Sequence, residues 1–303
     1  MIEAAADLRA RAGEVVRRAA GARLTTHRPQ SGAAGGLHIG RRRGGGIEFA
    51  EHRDYTAGDD LRHLDWRAFA RRDRLLVKRF EAEVHTDVWL VLDASASMAV
   101  AGPVELAGPV DKLDAVRVLA MALGLVTVAG GDAIGLEVPG PDGPRATLAA
   151  RGGSPATRAL ADALMRLEPT GDATLPSWRP RARGTIIVIT DGLAPVDALV
   201  APLASARRGG AEVTLVQALH PREIRFDFDD VVSLRCEETG ELRRFDPRRM
   251  RDEASAMMQA HCDALRLAAE SAGVRYVLLD LGADPAAALR EVLAAVARDR
   301  RGA

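Results

Sequence analysis

The sequence predicts an α/β fold in which a six-stranded, mostly parallel sheet carries helices on both faces. Two observations predict it. From residue 88 onward short apolar runs alternate with helical patterns, as they must when strands are joined by crossover helices. The helices also carry recognisable starts, with an aspartate ahead of an apolar periodic stretch.

Taken in order, an amphipathic helix over about residues 3–20 leads into the Gly- and Arg-rich stretch SGAAGGLHIGRRRGGG, and then into GIEFAEHRDYTAGDDLRHLDWRAFARRD and the strand-like LLVKRFEAEV. Residues 1–86 are therefore expected to form a helix and a basic arm packed on a main domain of residues 87–303. Arg53, Tyr55, Asp59, Asp60, Asp65 and Trp66 supply the polar and aromatic contacts expected to tie the arm down. The strands of the main domain read as DVWLVLD (87–93), DAIGLEV (132–138), RATLAA (145–150), TIIVITD (185–191), EVTLVQAL (212–219) and VRYVLLDL (274–281). Asp111 reads as the N-cap of KLDAVRVLAMALGLVTVA, and Asp284-Pro285 opens PAAALREVLAAVARD. Two short β-type runs around EETG predict a hairpin inserted at about 231–246, ahead of a helix over 251–271.

Composition narrows the function classes. The 42 basic and 42 acidic residues cancel, but residues 1–80 hold 17 Lys+Arg against 10 Asp+Glu. Only Lys78 and Lys112 are lysines, so the excess is arginine, and it alternates with Glu48, Glu51, Asp54, Asp59, Asp60 and Asp65, which would oppose phosphate contacts. No nucleic-acid partner is expected. RRRGGG lacks the GK[ST] of a phosphate-binding loop. Cys236 and Cys262 have no metal-type spacing, and a reduced buried thiol in a reducing cytoplasm is the expectation. His38, His52, His63 and His85 have no regular metal spacing either. No segment approaches the roughly 18–20 apolar residues of a membrane span, and the N-terminus alternates charges where a signal peptide would be apolar.

The residues that carry chemistry are DASASM, at the end of the fully apolar VWLVL. Ligands of open α/β sheets bind beyond the carboxyl ends of strands, so Asp93, Ser95 and Ser97 would present one carboxylate and two hydroxyls to that crevice. Hard oxygens of this kind suit Mg²⁺ or Mn²⁺. The other reading is an N-capping turn in which Ser95 or Ser97 satisfies helix N–H groups. A second strand ends in Asp191-Gly192 and would bring another carboxylate to the same edge if the two strands are neighbours, which favours metal binding.

A strand followed by DxSxS, with a later strand followed by TDG, resembles the metal-ion-dependent adhesion site (MIDAS) of von Willebrand factor A domains. GGGIEFAEHRDYTAGDDLRHLDWRAFARRDRLLVKRFEAE, GGDAIGL, LMRLEPTGDATL and AGVRYVLLDL extend the likeness, and the chain resembles the bacterial DUF fifty-eight family of MoxR-associated, von Willebrand factor A-like (Rossmann-like) proteins. The resemblance implies that Asp93, Ser95 and Ser97 are metal ligands and that Asp191 acts directly or through water. It implies too that a threonine completes the site, with Thr174 the best match and Thr170 the alternative. The usual Gly-Thr-Asp-Leu-like turn and helix are replaced here by GDATLPSWRPRARG. Many relatives carry two membrane helices ahead of this domain, and their absence implies a free cytoplasmic form. The expected function is a non-enzymatic interaction module that captures a partner carboxylate and serves a MoxR-type AAA+ ATPase, with an unknown client, as adaptor or co-chaperone. The alternative is a Mg²⁺-dependent phosphohydrolase using Asp93. Phosphatases of the haloacid-dehalogenase type need a second Asp two residues on, where this chain has Ser95, and no general base stands beside Asp93 in the sequence.

Overall fold

The computed structural model of the chain describes residues 2–19, 47–56, 64–72, 74–82, 86–98, 111–169, 171, 175–180, 183–226, 232–235 and 242–297. In order these form α1 (Ile2–Arg18), β1 (Ile47–Asp54), α2 (Trp66–Arg72), β2 (Leu76–Ala82), β3 (Asp87–Leu92), α3 (Lys112–Ala129), β4 (Ala133–Val138) and β5 (Ala146–Arg151). There follow α4 (Gly153–Met165), β6 (Thr185–Thr190), α5 (Val196–Arg208), β7 (Glu212–Leu219), α6 (Pro221–Arg225), β8 (Val232–Arg235), β9 (Leu242–Phe245), α7 (Pro247–Ser271), β10 (Arg275–Asp280) and α8 (Pro285–Ala297).

The six expected strands make one sheet in the order β10-β7-β6-β3-β4-β5. All neighbours are parallel except β4 and β5. Alternate residues of the strands enter two separate cores, as the pleat requires. Val88, Leu90 and Leu92 of β3 join Ile187 and Ile189 of β6 in a core shared with α1, α3, α4 and α8. Trp89 and Val91 join Ile186 and Val188 on the other face, under α5 and α7. Helices thus cover both faces, and β6 is buried along its whole length, which is why it reads as continuous Val and Ile. Gly135 lies opposite Trp89 in the β3–β4 register, where a Cβ would fall 2.6 Å from the indole ring.

The helix starts follow the capping chemistry expected of them. Asp111 accepts a hydrogen bond from Asp114 N at 2.9 Å, and Asp284 accepts one from Ala286 N at 3.2 Å. Helix α3 is apolar nearly all round, burying Val116, Leu119, Met121, Leu123 and Val126, so it needs cover on its outer side as well as on the sheet side. That cover includes α1, whose Ala5, Leu8, Ala12 and Val15 are buried.

The chain divides into two compact units, Met1–Thr25 with Thr86–Ala303, and Thr26–His85. The expected grouping of residues 1–86 therefore divides at α1, which belongs with the sheet because its apolar stripe completes the burial of α3. Within the second unit β1 and β2 pair antiparallel with a bulge between Phe49 and Glu51. Asp65 caps α2 by accepting from Ala68 N at 3.1 Å and also bonds His52 Nε2 at 2.9 Å. Trp66 is exposed and meets Phe69 edge-on. Asp59 and Asp60 lie outside the described residues. The predicted hairpin is present as β8 and β9, but it forms a two-stranded sheet of its own. Helix α7 starts at Pro247, four residues before the expected position. Among the described residues no helix is long and apolar enough to cross a membrane.

Candidate metal centre

Asp93 and Asp191 follow the carboxyl ends of neighbouring strands. β3 and β6 pair in parallel register, and Asp93 N extends the ladder by donating to Ile189 O at 2.9 Å. Numbered along the chain, the six strands run third, second, first, fourth, fifth, sixth across the sheet, so the order reverses between β3 and β6. The helices that follow these two strands pack on opposite faces, α3 in one core and α5 in the other, and the chain parts at that point. This is where α/β sheets open a crevice for ligands.

The turn after β3 is held by its own side chains. Asp93 Oδ1 accepts from Ser95 N at 3.0 Å, Met98 N donates to Ser95 O at 3.0 Å, and Ala96–Met98 form one turn of 3₁₀ helix. The Ser95 and Ser97 hydroxyl oxygens stand 3.0 Å apart, with Ser95 buried and Ser97 half-buried. Gly171 is tethered here, since its carbonyl accepts from Ala96 N at 2.9 Å, while Arg145 donates to Ala94 O at 2.9 Å and Glu168 O at 2.8 Å. Thr174 and Thr170, the two candidates for the remaining ligand, lie outside the described residues.

On the β6 side, Thr190 Oγ1 donates to Asp93 Oδ2 at 2.8 Å and accepts from Gly192 N at 3.0 Å. Gly192 turns the chain with φ +69°, and a Cβ there would meet Leu265 Cδ2 at 2.8 Å. Its carbonyl accepts from His261 Nε2 at 2.6 Å. Gln217 on β7 donates to Asp191 O at 2.9 Å and is itself held by the Tyr276 hydroxyl at 2.5 Å. Asp191 Oδ1 accepts from Leu193 N at 3.3 Å, and Oδ2 accepts from Lys112 Nζ at 3.1 Å.

Burial pushes the Asp93 carboxyl above its ordinary value and the charge of Asp191 adds to this, while hydrogen bonds from Thr190 and Ser95 pull the other way. The dominant cost is thus an anion held out of water beside a second anion. A cation between them would relieve it, and a hard divalent ion suits the donor set of two carboxylates and two hydroxyls. Among the described residues no three His, Cys, Asp or Glu gather into a metal cluster, so such an ion would depend on the serine hydroxyls.

The structure brings Asp93, Ser95, Ser97 and Asp191 to one edge. It also adds three residues that sequence reasoning missed. Thr190 was legible in principle as the residue preceding Asp191 in TDG. Lys112 was visible only as a rare lysine, and Glu223 carried no signal, because its contact with Lys112 joins residues 111 apart in the sequence.

The model of the family described as "Protein of unknown function DUF58" matches residues 51–264. The chain belongs to this family. An uncharacterized protein of Mycobacterium tuberculosis and one of Mycobacterium bovis are each 29% identical to this DUF58 protein over 306 residues, covering 92% of this chain and 88% of the relative. Among solved structures, an aerotolerance-related membrane protein from Bacteroides fragilis is 18% identical, with a TM-score of 0.43 over 70% of this chain and 98% of its own. The VWA domain of SpRpn10 is 12% identical, with a TM-score of 0.38 over 68% of this chain and 94% of its own. The DUF58 fold here is α/β, a six-stranded, mostly parallel sheet with the strand order given above.

Proposed function

We propose that this DUF58 protein is a non-enzymatic, metal-dependent interaction module. In this reading Mg²⁺ or Mn²⁺ is held by Asp93, Ser95 and Ser97, with Asp191 directly or through water and Thr174, or else Thr170, completing the set. The hydroxyl ligands carry no charge, so with Asp191 acting through water the ion stays net positive and attracts a carboxylate from a partner. The observation that carries the reading is the meeting of two buried aspartates and a serine pair at the reversal of strand order.

Enzymatic use of Asp93 has less support. A phosphatase nucleophile of this kind works with a second carboxylate two residues on, and that position is Ser95, whose hydroxyl is shared with Ser97. The partner chemistry suits an acidic surface, and by the family resemblance we assign it to a MoxR-type AAA+ ATPase, with this protein acting as its adaptor or co-chaperone in the cytoplasm.

Two measurements test this. Titration calorimetry should give one site for Mg²⁺ or Mn²⁺ in the wild type and none in Asp93→Ala. Pull-down of a MoxR-type ATPase with nucleotide should succeed in Mg²⁺, fall in EDTA, fall in Asp93→Ala, and persist in Arg208→Ala, an exposed change on α5. Equal capture in EDTA would overturn the metal mechanism, and no capture in Mg²⁺ would overturn the ATPase assignment.

A further inference from the structure

Lys112, the first residue of α3, is the largest side chain buried to 0% exposure among the described residues. An ammonium group is kept out of water only where its donors are satisfied and opposite charge is at hand. Lysine has three N–H donors, and here they meet three acceptors: Ser97 O at 3.2 Å, Asp191 Oδ2 at 3.1 Å and Glu223 Oε1 at 2.8 Å. Glu223 is itself fixed, because its second oxygen accepts from His220 N at 2.7 Å as part of the capping box that starts α6. The ammonium therefore bridges the serine turn, the end of β6 and α6.

We infer that Lys112 is the positioning residue that sets how strongly this site holds a divalent cation, by keeping Asp191 Oδ2 engaged and by adding a positive charge beside the ion. The inference rests on the metal-capture reading above and deepens it. With Lys112 in place, the charge of Asp191 is partly offset, so a divalent ion is bound loosely and a loaded site remains open to an external carboxylate. Without Lys112 the carboxylates of Asp93 and Asp191 would hold the ion more tightly and leave it less open to a further anion. Glu223 acts in the opposite sense, since it neutralises Lys112 and leaves less of the ammonium's charge to oppose the metal.

The test is calorimetry of the full chain with Mg²⁺ and Mn²⁺, for wild type, Lys112→Met and Glu223→Gln, with circular dichroism and thermal midpoints in EDTA to establish folding. Lys112→Met should bind Mg²⁺ about tenfold or more tighter than wild type, as expected for removing a cation a few ångströms from a divalent ion at screened dielectric. Glu223→Gln should bind several-fold more weakly. A gain of affinity distinguishes this role from a merely structural one, which could only lower it. Should Lys112→Met not fold, Glu223→Gln decides, and unchanged affinity there overturns the inference. Wild-type binding equalled by Lys112→Met overturns this inference and leaves the metal reading standing. Binding by Lys112→Met alone supports the inference and sinks the metal reading for the native chain, and no binding by any form overturns both.

Discussion

Thr190 donates its hydroxyl to Asp93 Oδ2 at 2.8 Å, so the last residue of β6 holds the carboxylate that follows β3. The bond joins the two strand ends at the point where the sheet reverses its order. It also helps to keep Asp93 charged against the burial that would protonate it. Removing the hydroxyl in Thr190→Val should cost about 1–3 kcal/mol, because a buried carboxylate loses a donor. Urea unfolding in EDTA would measure it.

Asp93→Asn should raise stability in the absence of divalent ions. The folded-state pKa of Asp93 lies above its ordinary value of 3.8, so its favourable contribution is present below that pH and is lost as pH rises through the folded value. Above the folded value the ionised carboxylate is a net cost. The asparagine keeps an acceptor for Ser95 N, gives up the acceptor of the Thr190 hydroxyl and removes the charge, and the removal of a buried charge is the larger effect. We expect a gain of about 1 kcal/mol, roughly 2–4 °C in thermal midpoint, and a shallower fall of stability between acid and neutral pH. Adding Mg²⁺ should stabilise the wild type and not the variant, by mass action. A variant less stable than wild type in EDTA at pH 7 would contradict the account.

Gly192→Ala should destabilise by about 2–4 kcal/mol. Its φ of +69° is strained for alanine, and the new methyl would meet Leu265 of α7 at 2.8 Å and the Gln217 amide at 3.1 Å. Gly143 is also at positive φ, but a methyl there would have no atom within 4 Å, so it provides the comparison. Gly143→Ala should cost about 1 kcal/mol. Thermal melts of the two variants separate conformational strain from overpacking.

The apolar strands, the caps at Asp111 and Asp284 and the placement of Asp93 and Asp191 were legible because each depends on local pattern: an unbroken Val/Ile run, an aspartate before a helix, an aspartate after a strand. The antiparallel pairing of β5 was not, since RATLAA alternates in the same way whichever direction it runs. Nor was the place of α1, whose stripe of Ala5, Leu8, Ala12 and Val15 fits any apolar surface until α3 is seen to need a cover. The site was half legible for the same reason. Asp93, Ser95 and Ser97 share one turn, whereas the two carboxylates that Lys112 joins, those of Asp191 and Glu223, stand 79 and 111 residues from it in the sequence.

Trp178 and Glu137 form a second buried polar contact. The indole N–H donates to Glu137 Oε1 at 3.0 Å, and both residues are buried. Glu137→Leu should cost about 1–3 kcal/mol by taking away the acceptor of the indole donor, and Glu137→Gln, which keeps an acceptor, should cost less. Tryptophan fluorescence during urea unfolding would follow both, and equal losses in the two variants would show that the charge matters more than the hydrogen bond.

The serine pair allows function to be separated from folding. Ser95 is buried to 0% exposure and its backbone N–H already serves Asp93, whereas Ser97 is half-buried and offers its hydroxyl at the edge of the crevice. Their hydroxyl oxygens are 3.0 Å apart, so each can satisfy the other when no ion is bound. Ser95→Ala removes a buried partner and should lower both stability, by about 1 kcal/mol, and affinity for Mn²⁺. Ser97→Ala should lower the thermal midpoint in EDTA less than Ser95→Ala does, because Ser97 is half-buried, the Ser95 hydroxyl keeps Asp93 as a partner, and the Lys112 contact runs to the Ser97 carbonyl and survives the substitution. Its affinity for Mn²⁺ should nevertheless fall by about tenfold, the loss of one hydroxyl from a set with few strong ligands. Electron paramagnetic resonance of Mn²⁺ reads free and bound ion directly. If Ser97→Ala binds Mn²⁺ as wild type does while Asp93→Ala does not, the ion is held by the aspartates without this hydroxyl, and the ligand set has to be redrawn around Asp93 and Asp191.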